Sequence, residues 1–550
     1  MPADLLITNA RLFTADPSNP TAEVLAVRDN RIVFVGSAAG AHAWRDPKTR
    51  LIDAGGRTLM PGFIDSHFHL LWGSLELCAA QLGEVRTLDD LGQVLLAYAD
   101  DHPDQEWVHG QGLIYLTPPS ISPLPLGMGD PTPLREGVRG LTRHHLDAII
   151  AHRPVAVTAY DGHTVWANTL ALKKAGILHG GVVGPGSEIV MGADGRATGE
   201  LRERGASHYV DDLIPEPTEP EKRALLHRGL KLAASLGITS VHNMDGEMEQ
   251  LTRYMALEDT GELTLRIYVP YTIRPETPIE ALSEAVEMAQ ANPGEMARGG
   301  AVKFFMDGVI ESYTALMLDD YTGAPGNKGS ALFTAEHFTR MATEADRLGL
   351  QIFVHAIGDA AVRRTLDGYE SSRRTNGKRD SRHRVEHIEV VHPDDLPRFA
   401  ELGVIASMQP LHAPLSVSGY DLWPSRVGVE RWDRSFAWNL VRNAGAKLVF
   451  GSDWPVVSQS PIRGLHAALN RQPWQEGLAN HRQTLEQALL AYTRDAAYAE
   501  FKEHEKGMLK PGYLADLVLL SEDIFEVPPE EIERVHPEMT MVDGRVVFEK

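Results

Sequence analysis

His67 and His69 stand two positions apart at the end of a short apolar run, Pro61-Gly62-Phe63-Ile64-Asp65-Ser66-His67-Phe68-His69. Side chains alternate between the faces of a strand, so both imidazoles leave by the same face. Such a pair can hold one divalent ion, zinc being a usual choice, if further ligands converge on it. Taken alone, the pair is also compatible with ordinary polar residues at a strand-to-loop junction. The chain carries further candidates at the ends of later apolar runs: His242, Lys303 with Asp307, His355, His387, Gln409 and Asp453. Three histidines and an aspartate suit one zinc with a position open for water, whereas four histidines, an aspartate and a modified lysine suit two ions. Each residue has a bland alternative: a polar strand terminus for His355, a satisfied core histidine for His387, a turn cap for Asp453. Their appearance in order along the chain favours a shared site.

The elements that must position them read as alternating strands and helices. Candidate strands are 62–67, 238–242, 265–270, 301–306, 351–355, 384–388, 404–408 and 447–452. Amphipathic stretches such as 221–236 separate them, which predicts parallel βα units. Eight is the strand count of a closed (β/α)8 TIM-type barrel, whose chemistry sits at the C-terminal strand ends. A ninth run, 154–160, is assigned to an excursion, because residues 71–215 are too long for one crossover. Both chain ends are strand-rich. Asp29-Asn30 within 24–36 and Asp543-Gly544 within 539–548 are hairpin turn signals. A small β domain built from the two termini is therefore expected, with everything else inserted in it. The expected boundaries are 1–56 and 506–550 for this domain, 57–75 for the first barrel strand and 216–505 for the remaining barrel. The stretch 76–215, rich in proline and glycine around 117–137, is expected to form a lid subdomain over the barrel mouth.

Composition narrows the setting. The 550 residues are 43% hydrophobic and 23% charged, an ordinary globular balance. A net charge of −22 disfavours nucleic acid and anionic membranes as partners. Cys78 is the only cysteine, so no intrachain disulfide can form. The N-terminus does not resemble a secretory signal, and no apolar run approaches the roughly 20 residues that span a bilayer. A soluble cytoplasmic protein acting on a small molecule is the expectation.

The motifs His67-Phe-His69, Val354-His355-Ala-Ile-Gly-Asp359, Glu386-His387 and Gly451-Ser-Asp453-Trp-Pro455 resemble the metal-dependent amidohydrolase superfamily. Asp161-Gly-His163-Thr-Val-Trp166-Ala-Asn168, Thr198-Gly-Glu-Leu-Arg-Glu203, Val302-Lys303-Phe-Phe-Met-Asp307-Gly308 and Met408-Gln409-Pro410 are similar to its YtcJ-like branch, which includes N-substituted formamide deformylase. The tail from Lys506 to Leu517 is of the superfamily's β-domain type. The resemblance spans nearly the whole chain, least clearly at 76–150. It implies an α/β fold, a (β/α)8 barrel with a β-sandwich from both termini, and a homodimer. It also implies one metal on His67, His69 and Asp453, and a second on His355 and His387, with Lys303 carboxylated between them. A lysine buried near cations has a depressed pKa, so its neutral amine can react with carbon dioxide. An unmodified Lys303, paired with Asp307 or beside a single metal, is the alternative, and one ion is then expected.

The implied reaction is hydrolysis of a non-peptide amide-type bond, N-formyl or cyclic amides included. Metal-activated hydroxide would attack, with Asp453 as general base and His242 helping to stabilise the oxyanion. Deamination, carbamate or ester hydrolysis on the same scaffold, and a non-catalytic scaffold, are the competing expectations. His163, Trp166, Asn168, Tyr115 and Gln409 are expected to contact substrate, with Tyr160 and Trp454 as further lining residues.

Overall fold

In the computed structural model, parallel strands run Phe63–Phe68 (β1), Ile238–Asn243 (β2), Arg266–Ile273 (β3), Ala297–Phe305 (β4), Gln351–Ala356 (β5), Arg384–His387 (β6), Ile405–Met408 (β7) and Lys447–Phe450 (β8). The structure describes residues 1–116, 140–160, 162–184, 187–291, 296–416 and 422–550. The eight strands pair in chain order as one sheet, with Lys303 opposite Phe353 and His355 opposite Glu386. At the remaining seam, Asp453 N–H donates to His67 O at 2.7 Å, and Ser452 N–H donates to Asp65 Oδ1 at 2.9 Å. The sheet is thus a nearly closed barrel, at or within a few residues of each expected strand boundary.

Alternation along these strands separates two environments. Val302 and Phe304, Ile352 and Val354, Ala406 and Met408, Leu448 and Phe450 point outward into one apolar cluster. There they meet Phe338 and Met341 of the helix Ala335–Arg347, and Val362 and Leu366 of the helix Asp359–Asn376. Each such side chain contributes about 1.5–3 kcal/mol on leaving water. The intervening positions carry Lys303, Arg384, Glu386 and Ser407, all fully buried. The outer layer therefore stabilises the barrel, and the inner layer is left free to be polar.

The two chain ends share a sheet. Thr58–Pro61 pairs antiparallel with Leu517–Leu520, Met60 opposite Val518, in a six-stranded sheet with Thr21–Ala22, Arg11–Phe13, Pro537–Val542 and Arg545–Glu549. A second, four-stranded sheet holds Leu5–Thr8, Val24–Arg28, Arg31–Gly36 and Arg50–Asp53. Leu5, Ile7 and Leu25 of one sheet and Leu12, Leu59 and Leu517 of the other meet in one apolar cluster. The expected hairpins form, with Asp29 and Asp543 in the left-handed region at φ 52° and 53°.

Contacts divide the chain into two units. One comprises Met1–His69, Leu230–Asp453 and Gln459–Lys550, and the other Leu70–Gly229 with Trp454–Ser458. The second takes in residues on both sides of the 76–215 stretch. Its six-stranded mixed sheet runs Glu188–Met191, Ala197–Arg202, Thr164–Ala167, Val155–Ala159, Val108–Leu113, Ala80–Gln81. The ninth run of the sequence is thus the strand Val155–Ala159 of this sheet. The proline- and glycine-rich 117–137 and Asp161 lie outside the described residues. Among the described residues no helix is long and apolar enough to cross a membrane.

Gly451 makes the β8–β1 seam possible, since a Cβ there would lie 2.4 Å from His67 N and 2.8 Å from Asp65 Oδ1. Gly451→Ala must displace backbone. Overpacking of this kind costs about 1–3 kcal/mol, so the denaturation midpoint should fall, and a wild-type midpoint would show that the seam is looser than drawn.

Candidate metal centre

The end of β1 carries His67 and His69, both buried, and Asp453 follows β8 directly. Asp453 Oδ1 lies 3.2 Å from Nε2 of each imidazole. The opposite ring nitrogens face other carboxylates: His67 Nδ1 lies 2.7 Å from Glu386 Oε2, and His69 Nδ1 lies 3.0 Å from Asp245 Oδ1. An ionised carboxylate only accepts, so the Nδ1 protons belong to these contacts and both Nε2 lone pairs face Asp453. Acceptors so arranged repel one another unless a proton or a cation lies among them. Burial opposes protonation of His69, but Asp245 and Asp453 on either side outweigh it and lift its pKa to about 9. Burial would likewise raise Asp453, but His67, His69 and His387 hold it well below the usual carboxylate range. This donor set fits a divalent cation.

A second set adjoins the first. His387, at the end of β6, has Nδ1 2.9 Å from Gln409 Oε1 and 4.0 Å from Asp453 Oδ2. His412, beyond β7, has Nε2 3.6 Å from Asp453 Oδ2, and its ring lies nearly parallel to that of His387 at 5.8 Å. Ligand atoms of His67, His69 and Asp453, and those of His387, His412 and Asp453, fall within 4.8 Å of one another. Asp453 is common to both groups. His387, Ile388 and Asp453 all adopt positive φ, at 71°, 51° and 64°. A side chain is rarely held there without other contacts to impose it, and such strain concentrates at working sites.

His355 stands next to last in β5, with its ring 4.5 Å from that of His387. Its Nε2 lies 3.2 Å from Gly308 O and must donate there, leaving Nδ1 as its lone pair. Burial, helped by Lys303, pushes its pKa down to about 3.

Lys303 on β4 is fully buried and its Nζ has no hydrogen-bond partner among the described residues. It lies 4.8 Å over the Phe305 ring, and burial lowers its pKa to about 8. Pairing with Asp307 does not occur, because Asp307 spends its oxygens on the N–H groups of Leu316, Ile357 and Gly358. A dry, unpaired amine is costly as a cation and nucleophilic as a base. That is the chemistry a carbamate-forming lysine needs.

His242 sits elsewhere than expected. It is fully buried on β2, with Nδ1 2.7 Å from Arg384 Nη1 and Nε2 3.2 Å from Glu500 Oε1. Nδ1 accepts from Arg384 inside the barrel, and Nε2 faces Glu500 without completing a hydrogen bond there. Gln409 orients His387 through its amide oxygen.

The residues assigned to substrate from the second unit have local partners. Asn168 caps the helix Thr169–Lys174 and bonds Val155 N, Ala171 N, Ile150 O and Arg153 O, which uses its whole amide. Trp166 is buried, 5.3 Å from the Tyr115 ring, and Tyr115 Oη donates to Thr164 Oγ1 at 2.8 Å. Tyr160 packs edge-on against Tyr115 at 6.3 Å, and Trp454 lies over Gly73. His163 is about one-third exposed, its Nδ1 2.9 Å from Glu203 Oε2. Glu203 holds φ at 62°.

Sequence reasoning missed Glu386, Asp245, Asp65 and His412. Glu386 stands in the Glu386-His387 motif, and alternation places it on the inner face with Arg384. His412, three residues past Gln409, was a further histidine beyond a strand end and open to notice. Asp245 and Asp65 gave no signal, since their roles depend on which strands become neighbours.

Comparison with known proteins agrees with this chemistry. Residues 50–548 match the model of the Amidohydrolase family. The chain is 31% identical over 530 residues to Protein LONG AFTER FAR-RED 3 of Arabidopsis thaliana, covering 94% of this chain and 87% of that protein. It is 25% identical over 560 residues to the N-substituted formamide deformylase of Arthrobacter pascens, covering 100% of this chain and 98% of the other. A crystal structure of an uncharacterized metal-dependent hydrolase from Pyrococcus furiosus superposes with a TM-score of 0.70 at 25% identity, covering 96% and 99% of the two chains. With its barrel, its convergent histidines and Asp453, the chain belongs to the amidohydrolase family and is a metal-dependent hydrolase of the amidohydrolase type.

Proposed function

We propose that the protein hydrolyses a non-peptide amide, an N-formyl or cyclic amide being the substrate class most in keeping with its relatives, at a two-zinc centre. The observation that carries the reading is the convergence of the His67 and His69 Nε2 atoms on Asp453, 3.2 Å from each. His67, His69 and Asp453 would hold one ion. His355 and His387, with a carboxylated Lys303, would hold the other, and His412 stands beside His387 as a further ligand or a substrate contact. If Lys303 stays unmodified, one ion is expected. Bound divalent metal acidifies water and polarises a carbonyl.

The chain's own groups supply the rest. Glu386 and Asp245 fix the two imidazoles, and Gln409 fixes His387. Asp453, ionised and aimed into the centre, takes a proton from the attacking water and returns it to the departing nitrogen. From the inserted unit we retain His163, held by Glu203, as the substrate contact, with Tyr115 as a lesser one. Trp166 and Asn168 we read as packing. The single cysteine and the acidic charge are in keeping with a cytoplasmic enzyme.

Asp453→Asn keeps an oxygen for metal but not the proton acceptor. It should retain much of the bound metal while turnover falls by about 10²–10⁴-fold, measured on the metal-loaded protein. Near-normal turnover would remove Asp453 from the base role. A panel of N-formyl, N-acyl and cyclic amides should include substrates that yield amine and carboxylate in equal amounts, with loss on chelation and recovery on adding zinc. Ammonia released without a carboxylate would identify a deaminase instead.

A further inference from the structure

A line of buried charge runs from the metal centre down the barrel interior. Glu386, whose Oε2 holds His67 Nδ1, also receives Arg384 Nη2 at 3.0 Å, and Arg384 Nε lies 2.8 Å from its Oε1. Arg384 is fully buried and stacks over Phe353 with its guanidinium carbon 4.3 Å from the ring centre. Its Nη2 further donates to Ser407 Oγ at 2.8 Å and to Ser66 O. Its Nη1 donates to His242 Nδ1 at 2.7 Å. Beyond His242 stands Glu500, which Lys506 Nζ approaches to 2.7 Å and Arg298 Nη2 to 2.8 Å.

The protons along this line are fixed by chemistry. Arginine only donates, so His242 Nδ1 is an acceptor and its proton is on Nε2, toward Glu500. Burial agrees, pushing the His242 pKa down to about 4 and keeping the ring neutral. Glu386 accepts from both Arg384 and His67, so His67 carries its proton on Nδ1 and presents Nε2 toward Asp453. Remove the His242 acceptor, and Arg384 keeps a buried N–H with no partner. Its simplest response is to shift, taking Glu386 with it.

We propose that His242 is a positioning residue: lying beside Glu500, it fixes Arg384 and, through Glu386, the tautomer and aim of His67 in the metal centre. The proposal rests on the metal-centre reading above. Changes to groups that orient metal-ligating histidines characteristically cost about 10–100-fold in metal affinity. Glutamine can still accept from Arg384 at this position and leucine cannot.

The test is zinc affinity by chelator competition on full-length wild type, His242→Leu and His242→Gln, alongside the visible spectrum of each cobalt-substituted protein. Leucine is expected to weaken zinc binding about 10–100-fold and to alter the cobalt bands, with glutamine staying within about threefold of wild type. Unchanged affinity and spectrum in His242→Leu overturn the proposal, as does equal loss in both variants, which marks a packing role. If His242→Leu does not fold, Arg384→Lys serves instead: its single ammonium cannot bridge Glu386 and His242 together, so a wild-type cobalt spectrum there also overturns the proposal. Failure of the wild type itself to bind zinc or cobalt counts against the metal-centre reading instead.

Discussion

A buried carboxylate oxygen at 3.2 Å from two imidazole nitrogens, each with its proton committed on the far side of the ring, is unfavourable without positive charge among the three. The geometry at Asp453, His67 and His69 therefore calls for a proton or a cation among the three, and a bound divalent ion would complete it. Much of the barrel serves to hold these acceptors together. The β1–β8 seam brings Asp453 against the backbone of His67, and Gly451 gives that approach room. Asp65 accepts the N–H groups of both His67 and Ser452, tying the two strand ends together at the point of convergence. Positive φ at His387 and Asp453 turns both side chains from their strands.

The inner layer carries the energetic burden of this arrangement. Arg384, Glu386, Lys303 and Glu500 are all buried, and buried ions are tolerated only when paired and fully hydrogen-bonded. Arg384 is paired with Glu386, and its Nη atoms bond Glu386, Ser66, Ser407 and His242. Lys303 does not meet that requirement: its Nζ has no hydrogen-bond partner among the described residues. The proposed modification to an anion facing cations would resolve the conflict for the lysine and supply charge to the centre together. The apolar outer layer, in which Phe304, Val354 and Phe450 pack beneath helices, supplies the stability that offsets such a costly interior.

Much of this was legible in the chain. The barrel strands were visible as short apolar runs, and His67, His69, His387 and Asp453, which converge in the structure, drew attention because each stands at or just past a strand end. Burial of apolar surface sets that pattern locally, so a linear reading recovers it. Partners across the barrel were not legible in the same way. Nothing in the order of residues says that Glu386 faces His67, or that Arg384 faces His242, because strand neighbours meet only when the ring closes. His242 shows the limit. Its position at a strand end read as an oxyanion group, yet its ring turns inward, between Arg384 and Glu500. Asn168 shows another: a motif position resembling a substrate residue serves as a helix cap, with its whole amide spent on backbone.

The central claim is that divalent cations complete the set of acceptors around Asp453. An anomalous difference map from crystals of the zinc-reconstituted protein, recorded at the zinc edge, tests it most directly. The account predicts one peak bounded by His67 Nε2, His69 Nε2 and Asp453, and a second beside His387 and a Lys303 side chain extended by carbamate density. No peak within coordination distance of the His67, His69 and Asp453 atoms would contradict the metal centre. A single peak beside a bare Lys303 amine would contradict the two-ion form.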